Sequence, residues 1–255
     1  MTLTLRPYQS QAIGNLRAAY RSGARAPLLA LPTGGGKTVI LAEIMRGLSE
    51  RGRRGLVLVH RRELIAQTSR KLDAAGVPHG IIAAGMAAAD APVQVASVQT
   101  LVRRLPGIAD PPDLIVIDEA HHATAGSWSR VLSHWPDALR LGVTATPIRL
   151  DGRGLSTVFD RLVLGPSTAD LIDAGFLASA RIYAPPPQAD LSGIKRRAGD
   201  FAIDQASAAM DRPTVTGDAI SHFRRLAAGQ QAIAFCCSTG HADHVCKAFK
   251  DAGIH

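Results

Sequence analysis

The chain has 255 residues, enough for one large or two modest domains, and its 46% hydrophobic and 20% charged content is ordinary for a protein that buries a core. Its formal charge of +8, from 29 Lys and Arg against 21 Asp and Glu, favours a polyanionic partner. No apolar run approaches the ~18 residues of a membrane span, and the opening Met1–Pro7 lacks the layout of a signal peptide. Three cysteines, Cys236, Cys237 and Cys246, are too few and too clustered for a disulfide framework, so a reducing, cytoplasmic setting is expected.

Aromatic residues make up only 4% of the chain, leaving Ala, Val, Leu and Ile to fill the interior, as in an α/β sheet covered by helices. The first predicted element is a helix through Ala12–Tyr20, led by Leu5-Arg6-Pro7-Tyr8-Gln9 and ended by Gly23. Pro27–Ala30 reads as a buried strand. It runs into Leu31-Pro32-Thr33-Gly34-Gly35-Gly36-Lys37-Thr38 and then a helix to about Ser49. Strand, glycine-rich turn and helix opening on Lys-Thr are the parts of a phosphate cradle. Three glycines let backbone N–H groups turn inward, the helix N-terminus adds partial positive charge, Lys37 reaches the β- and γ-phosphates, and Thr38 can ligate Mg²⁺. The strict pattern wants Gly at the first position, where this chain has Leu31.

Gly55–Val59 is the next expected strand, delivering His60-Arg61-Arg62-Glu63 at its end, with a helix over Leu64–Ala75 behind it. Gly80–Ala83 and Val93–Ser97 are short strands, the second leading into Val98-Gln99-Thr100-Leu101 at a helix start. Leu114–Ile117 ends in Asp118-Glu119-Ala120-His121-His122, and Arg140–Val143 ends in Thr144-Ala145-Thr146-Pro147. Strands alternating with helices imply a parallel sheet with right-handed crossovers and ligands at the strands' carboxyl ends, where every one of these polar clusters falls. After Arg149 the pattern weakens to a loop at Asp151–Gly154 and a short capped helix from Ser167 to Gly175. Ala180–Ala184 is a further candidate strand, Pro185-Pro186-Pro187 is linker-like, and Lys195-Arg196-Arg197 reads as a solvated basic loop. A helix over Val215–Leu226, a strand over Gln231–Cys236 and a helix over Ala242–Ala252 restart the alternation. Such a fragment cannot complete a second sheet, which implies an incomplete second domain.

Phosphoryl transfer to water needs an acidic Mg²⁺ anchor and a group that orients water. Asp118 suits the first and Glu119 the second. Together the loop at 31–38, Asp118-Glu119-Ala120-His121 and Thr144-Ala145-Thr146 resemble motifs I, II and III of superfamily 2 helicases with a DEAH box, in the branch related to type III restriction and repair helicases. The resemblance extends to Arg6–Gln9 as an adenine-recognition segment, to Val57–Gln67 and Val98–Thr100 as strand-contacting motifs, and to Ala232–Ser238 as motif IV. Gly165-Pro166 with Leu171–Leu177 resembles the crossing between the two RecA-like domains.

The resemblance implies a P-loop NTPase RecA-like parallel sheet flanked by helices over residues 1–177, followed by a linker and an incomplete second RecA-like domain over 178–255. It implies ATP and Mg²⁺ as cofactors, adenine contacts from Gln9 and Arg6, and phosphate contacts from Thr33 to Thr38. His121, Thr144 and Thr146 would couple nucleotide state to domain movement, while Arg61, Arg62, Gln99 and Thr100 would face nucleic acid, DNA ahead of RNA. Motifs V and VI, which carry the family's arginine finger, have no counterpart before His255, so a complementing C-terminal half is expected and hydrolysis by this polypeptide alone should be weak. A nucleotide-binding module without turnover is the alternative. Cys237, His241, His244 and Cys246 have zinc-ligand chemistry, but their compressed spacing fits a strand–helix unit better.

Overall fold

A computed structural model describes residues 4–60, 62–86, 89–108, 110–123, 126–147, 155–183, 192–197 and 200–254, without the side chains of residues 62, 122, 196, 197 and 200. Tertiary contacts divide the chain into two units, Met1–Ser179 and Ala180–His255.

The first unit opens with helix α1 (Pro7–Arg21), started by Pro7 and stopped after Ser22. Strand β1 (Pro27–Ala30) leads through the glycine turn to α2 (Lys37–Ser49), and β2 (Gly55–Val59) leads to α3 (Arg62–Ala74). Strands β3 (His79–Ile82) and β4 (Val93–Ser97) precede α4 (Val98–Arg104). Then come β5 (Leu114–Asp118), a 3-10 turn over Ala120–His122, α5 (Gly126–His134), β6 (Leu139–Thr144), β7 (Arg161–Leu164) and α6 (Thr168–Asp173). The seven strands form one parallel sheet in the order β3-β4-β2-β5-β6-β1-β7.

The central strands β1, β2 and β5 are buried along their whole length, as a sheet covered on both faces requires. Two apolar clusters lie on its two sides. One joins Leu16, Ile40, Leu41 and Met45 to Leu29, Val57 and Val116. The other joins Leu101, Trp128 and Leu132 to Leu58, Ile115 and Ile117. Trp128 and Trp135 are core residues, 3% and 7% exposed. The weakening pattern after Arg149 concealed β7, and α5 lay between expected strands. Leu162 and Leu164 are 51% and 67% exposed because β7 is an edge strand packed on one side only; its apolar run, residues 162–164, is only three residues long.

The second unit holds a two-residue hairpin, β8 (Arg196–Arg197) with β9 (Asp200–Phe201), and helices α7 (Ile203–Met210), α8 (Pro213–Leu226) and α9 (Thr239–Asp251). Three expectations need correcting here. Residues 231–236 form no strand, and Ile233 and Phe235 stand 82% and 95% exposed. An extended segment becomes a strand only when a neighbour takes its N–H and C=O groups, and among the described residues of this unit the only ladder is β8–β9. Residues 180–183 likewise form no strand, with Ile182 90% exposed, while Ala184 lies outside the described residues. Within the basic cluster at 195–197, Arg196 and Arg197 are paired in β8 rather than in a loop.

Candidate nucleotide site

Three strands that are neighbours in the sheet bring the candidate residues together. β1 pairs with β6 and β6 with β5, so the loop after Ala30 and the acidic pair after Ile117 emerge from the same edge with only β6 between them. At roughly 4.8 Å per strand, their bases are about 10 Å apart. Thr144, the last residue of β6, occupies the gap: its carbonyl accepts the N–H of Leu31 at 2.9 Å.

The turn itself uses its glycines. Gly34 and Gly36 both have φ of +81°, in the left-handed region that favours glycine. A Cβ on Gly36 would collide with the Gln9 amide, and one on Gly34 would come 2.8 Å from Leu177 Cδ2. Gly36 is the N-cap of α2, and Lys37 begins it. The Lys37 ammonium donates to the carbonyls of Leu31 at 3.3 Å and Pro32 at 3.5 Å, so it folds over its own loop. Thr33 and Gly34 are exposed and Gly35 is buried. Thr38, half-buried, borders a cavity of about 380 Å³ with Gln67, Arg70 and Lys71 of α3.

Asp118 is 8% exposed and its Oδ1 accepts the N–H of Glu119 at 3.0 Å. Burial raises its carboxyl above the ordinary carboxylate range and the charge of Glu119 adds to that, against the Glu119 N–H and the Lys37 ammonium. Lys37 and Asp118 are thus close enough to sense each other's charge. Glu119 has φ of +52° and, among the described residues, is the one non-glycine at positive φ. Such a conformation costs about 1–2 kcal/mol and persists only where the surroundings impose it. It turns the chain sharply into the 3-10 turn. The Glu119 carboxylate then lies 3.4 Å from His121 Nδ1, and the same ring nitrogen lies 3.3 Å from Thr144 Oγ1. Thr144 Oγ1 accepts the N–H of Thr146 at 3.1 Å. His121, Thr144 and Thr146 therefore form one polar chain leading away from Glu119.

On the other flank, Tyr8 donates its hydroxyl to the Gly35 carbonyl at 2.9 Å. Gln9 is 3% exposed; its Nε2 donates to the same carbonyl at 3.3 Å and its Oε1 accepts the N–H of Arg6 at 2.9 Å. The Arg6–Gln9 segment thus braces the glycine turn directly, and the Gln9 amide is engaged within the protein. The Tyr8 bond joins residues 27 apart in sequence, and no local pattern reports it.

Arg61 lies outside the described residues, and Arg62 begins α3 without a described side chain. Gln99 is exposed at the start of α4, its Nε2 donating to the His60 carbonyl at 3.3 Å and its Oε1 accepting from Ser97 Oγ at 2.8 Å. Thr100 follows it, half-buried. The β2–β4 pairing of Val59 with Ser97 sets the segments that follow these two strands side by side at the same carboxyl edge. In the second unit, His241 Nδ1 accepts the N–H of Cys237 at 3.3 Å and His244 pairs with Asp211 at 2.7 Å. Among the described residues no group of three or more His, Cys, Asp or Glu is arranged to hold a metal.

The sequence matches the family described as type III restriction enzyme, res subunit, over residues 2–149, which contain both the glycine turn and the acidic pair. The chain belongs to this family. It is a superfamily 2 helicase chain of the restriction-enzyme-like branch, with ATP-dependent helicases among its homologues. A 51.5 kDa protein of a Lactococcus phage is 32% identical over 223 residues, 88% of this chain and 46% of that protein. IRC3 of Saccharomyces cerevisiae, named as a candidate ATP-dependent helicase, is 33% identical over 273 residues, 98% of this chain and 40% of the relative. The chain therefore spans less than half the length of either relative. Among solved structures, the type ISP restriction-modification enzyme LlaGI shares the fold with a TM-score of 0.56 at 18% identity, over 68% of this chain and 21% of that one. The UvsW helicase of bacteriophage T4 does so at 0.51 and 22%, over 64% and 60%. The parallel sheet is the RecA-like sheet of these helicases.

Proposed function

We propose that the chain is the ATP-binding part of a nucleic-acid helicase or translocase that hydrolyses ATP with Mg²⁺ and acts on DNA. One observation carries the reading: the Lys37 loop and the Asp118–Glu119 pair leave the sheet on the same edge, one strand apart and within electrostatic reach. The N–H groups of Gly34–Thr38 and the Lys37 ammonium would bind the triphosphate, and leaving its own carbonyls for phosphate is the local change that binding asks of Lys37.

The residues also suit a divalent cation. Asp118 is a buried carboxylate whose proton affinity is raised by burial and by a second acid, and a cation there would offset both. Asp118 and Thr38 would hold Mg²⁺, which neutralises phosphate charge when bound. Glu119 would orient and deprotonate the attacking water, held by its turn and by His121. The chain from His121 through Thr144 to Thr146 would carry the state of that water to neighbouring parts of the motor.

The edge at Arg61, Arg62, Gln99 and Thr100 would meet the phosphate backbone, with contacts largely indifferent to sequence. The domains would divide at about residue 177, with 178–255 as linker and front part of a second RecA-like domain. Its exposed segment 231–236 would gain partners from a complementing C-terminal helicase half. A cytoplasmic location suits the three free cysteines.

The test is ATP turnover with single-stranded DNA, duplex DNA or RNA added, with and without a C-terminal half supplied in trans. Stimulation by DNA above RNA supports the reading, and the reverse order makes it an RNA motor. Tight ATP binding with no turnover under any of these conditions leaves a nucleotide-binding module and rejects the motor.

A further inference from the structure

Phe176 and Leu177 lie at the end of the first unit, two residues before Ser179, yet both are turned back onto the phosphate loop. α6 ends at Asp173, and Gly175 has φ of +71°. The N–H groups of Phe176 and Leu177 then both donate to the Leu171 carbonyl, at 2.8 and 3.0 Å. This helix-closing turn fixes both side chains. Leu177 stands over Gly34. The Phe176 ring meets Tyr8 edge-on, centroids 5.2 Å apart at 63°, and the Arg6 guanidinium sits 5.1 Å above its centre. Arg6 also donates to the Tyr8 hydroxyl at 3.3 Å and the Phe176 carbonyl at 3.5 Å. Since Tyr8 is itself bonded to Gly35, this half-buried aromatic surface starts one hydrogen bond from the middle of the loop.

Two rings and a guanidinium are the groups that hold a flat heterocycle, by stacking and by cation–π attraction. Gln9, which the resemblance assigns to adenine, is by contrast buried and engaged at both ends of its amide. Beside the loop, the half-buried rings and the exposed guanidinium present accessible surface that the buried amide does not. We propose that Phe176, with Tyr8 and Arg6, forms the stacking platform for the base of the bound nucleotide, and that Phe176 is a specificity-determining residue. The inference rests on the nucleotide reading of the phosphate loop.

The experiment measures equilibrium binding of ATP and of inorganic tripolyphosphate, each with Mg²⁺, to the full chain and to Phe176→Ala and Phe176→Trp. Loss of a stacked ring should weaken ATP binding about 5- to 150-fold in Phe176→Ala, leave tripolyphosphate unchanged, and be largely restored in Phe176→Trp. Equal losses for both ligands would mean that the substitution damages the loop through Leu177, and would overturn the proposal. An unchanged ATP affinity would overturn it too, as would a wild-type chain that binds both ligands equally. A wild-type chain that binds neither would remove the nucleotide site itself, and this proposal with it.

Discussion

Lys37, Asp118 and Glu119 divide the work at this edge by their surroundings. Lys37 is tied to two carbonyls, a weak competitor for a triphosphate, so Lys37→Ala should weaken ATP binding by about 10- to 150-fold, the worth of a hydrogen bond to a charged group. Glu119→Gln should keep that affinity and lower turnover by about 10²- to 10⁴-fold, since only the proton-accepting group is lost. Titration of a fluorescent ATP analogue beside single-turnover assays separates the two, and equal affinity in wild type and Lys37→Ala would reject the site. Asp118 is held at a cost to the fold. Its folded pKa is raised, so the folded state keeps the proton more tightly than the unfolded one. Its contribution to stability is full at low pH and is lost as pH rises through its titration. Asp118→Asn should therefore melt higher than wild type without nucleotide at about pH 7, by about 2–4 °C per kcal/mol relieved, with a smaller gap near pH 4. A lower melting temperature at pH 7 would contradict this. These three residues were legible because Asp118 and Glu119 follow an apolar run and Lys37 follows a glycine turn at a helix start, and their types name their chemistry. The roles of Tyr8, Phe176 and the engaged Gln9 amide were not, because they depend on contacts across 26 to 168 residues.

Elements were legible in proportion to how completely the fold buries them. β2 and β5 are buried at every position and read as continuous apolar runs, and Ile117→Ala should cost about 2–5 kcal/mol, measured by chemical unfolding. β7 has a single buried position out of four, and its apolar run of three residues is shorter than those of β2 and β5. Residues 231–236 fail in the opposite direction. Gln231–Cys236 has the composition of a buried strand, but strand formation depends on a neighbour that composition does not supply. Gln231, Ala232, Ala234 and Cys236 border an open cavity of about 750 Å³ with Phe223, Val245 and Phe249, yet residues 231–235 are all exposed, Ile233 and Phe235 most heavily. The segment is extended without a ladder and without a covered face. Replacing Ile233 and Phe235 by Thr should change the stability of the chain by less than about 1 kcal/mol and reduce self-association at high concentration, read by unfolding and light scattering. A large loss of stability would show that the segment is paired in solution.

The whole molecule carries an excess of eight positive charges, and the starts of α3 and α4 stand side by side at one carboxyl edge of its sheet. Lys37 and Asp118 occupy the same edge, so a strand lying across it would pass close to the nucleotide, and a motor needs those two sites coupled. The charge sets how binding must respond to salt. Neutralising three or four phosphates of single-stranded DNA releases their counterions, which gives a log–log slope of affinity against salt of about −2 to −3. The slope should be nearly the same for unrelated sequences, because backbone phosphates carry no sequence information. Gln99→Ala removes no charge; it should weaken binding modestly while leaving the slope in place, whereas charge-neutral replacements of Arg61 and Arg62 should make the slope shallower by about 0.7 for each phosphate that is no longer neutralised. Fluorescence anisotropy over a salt series measures both. A slope near zero, or one that the arginine replacements leave unchanged, would move the nucleic acid to another face and detach the motor reading from this edge.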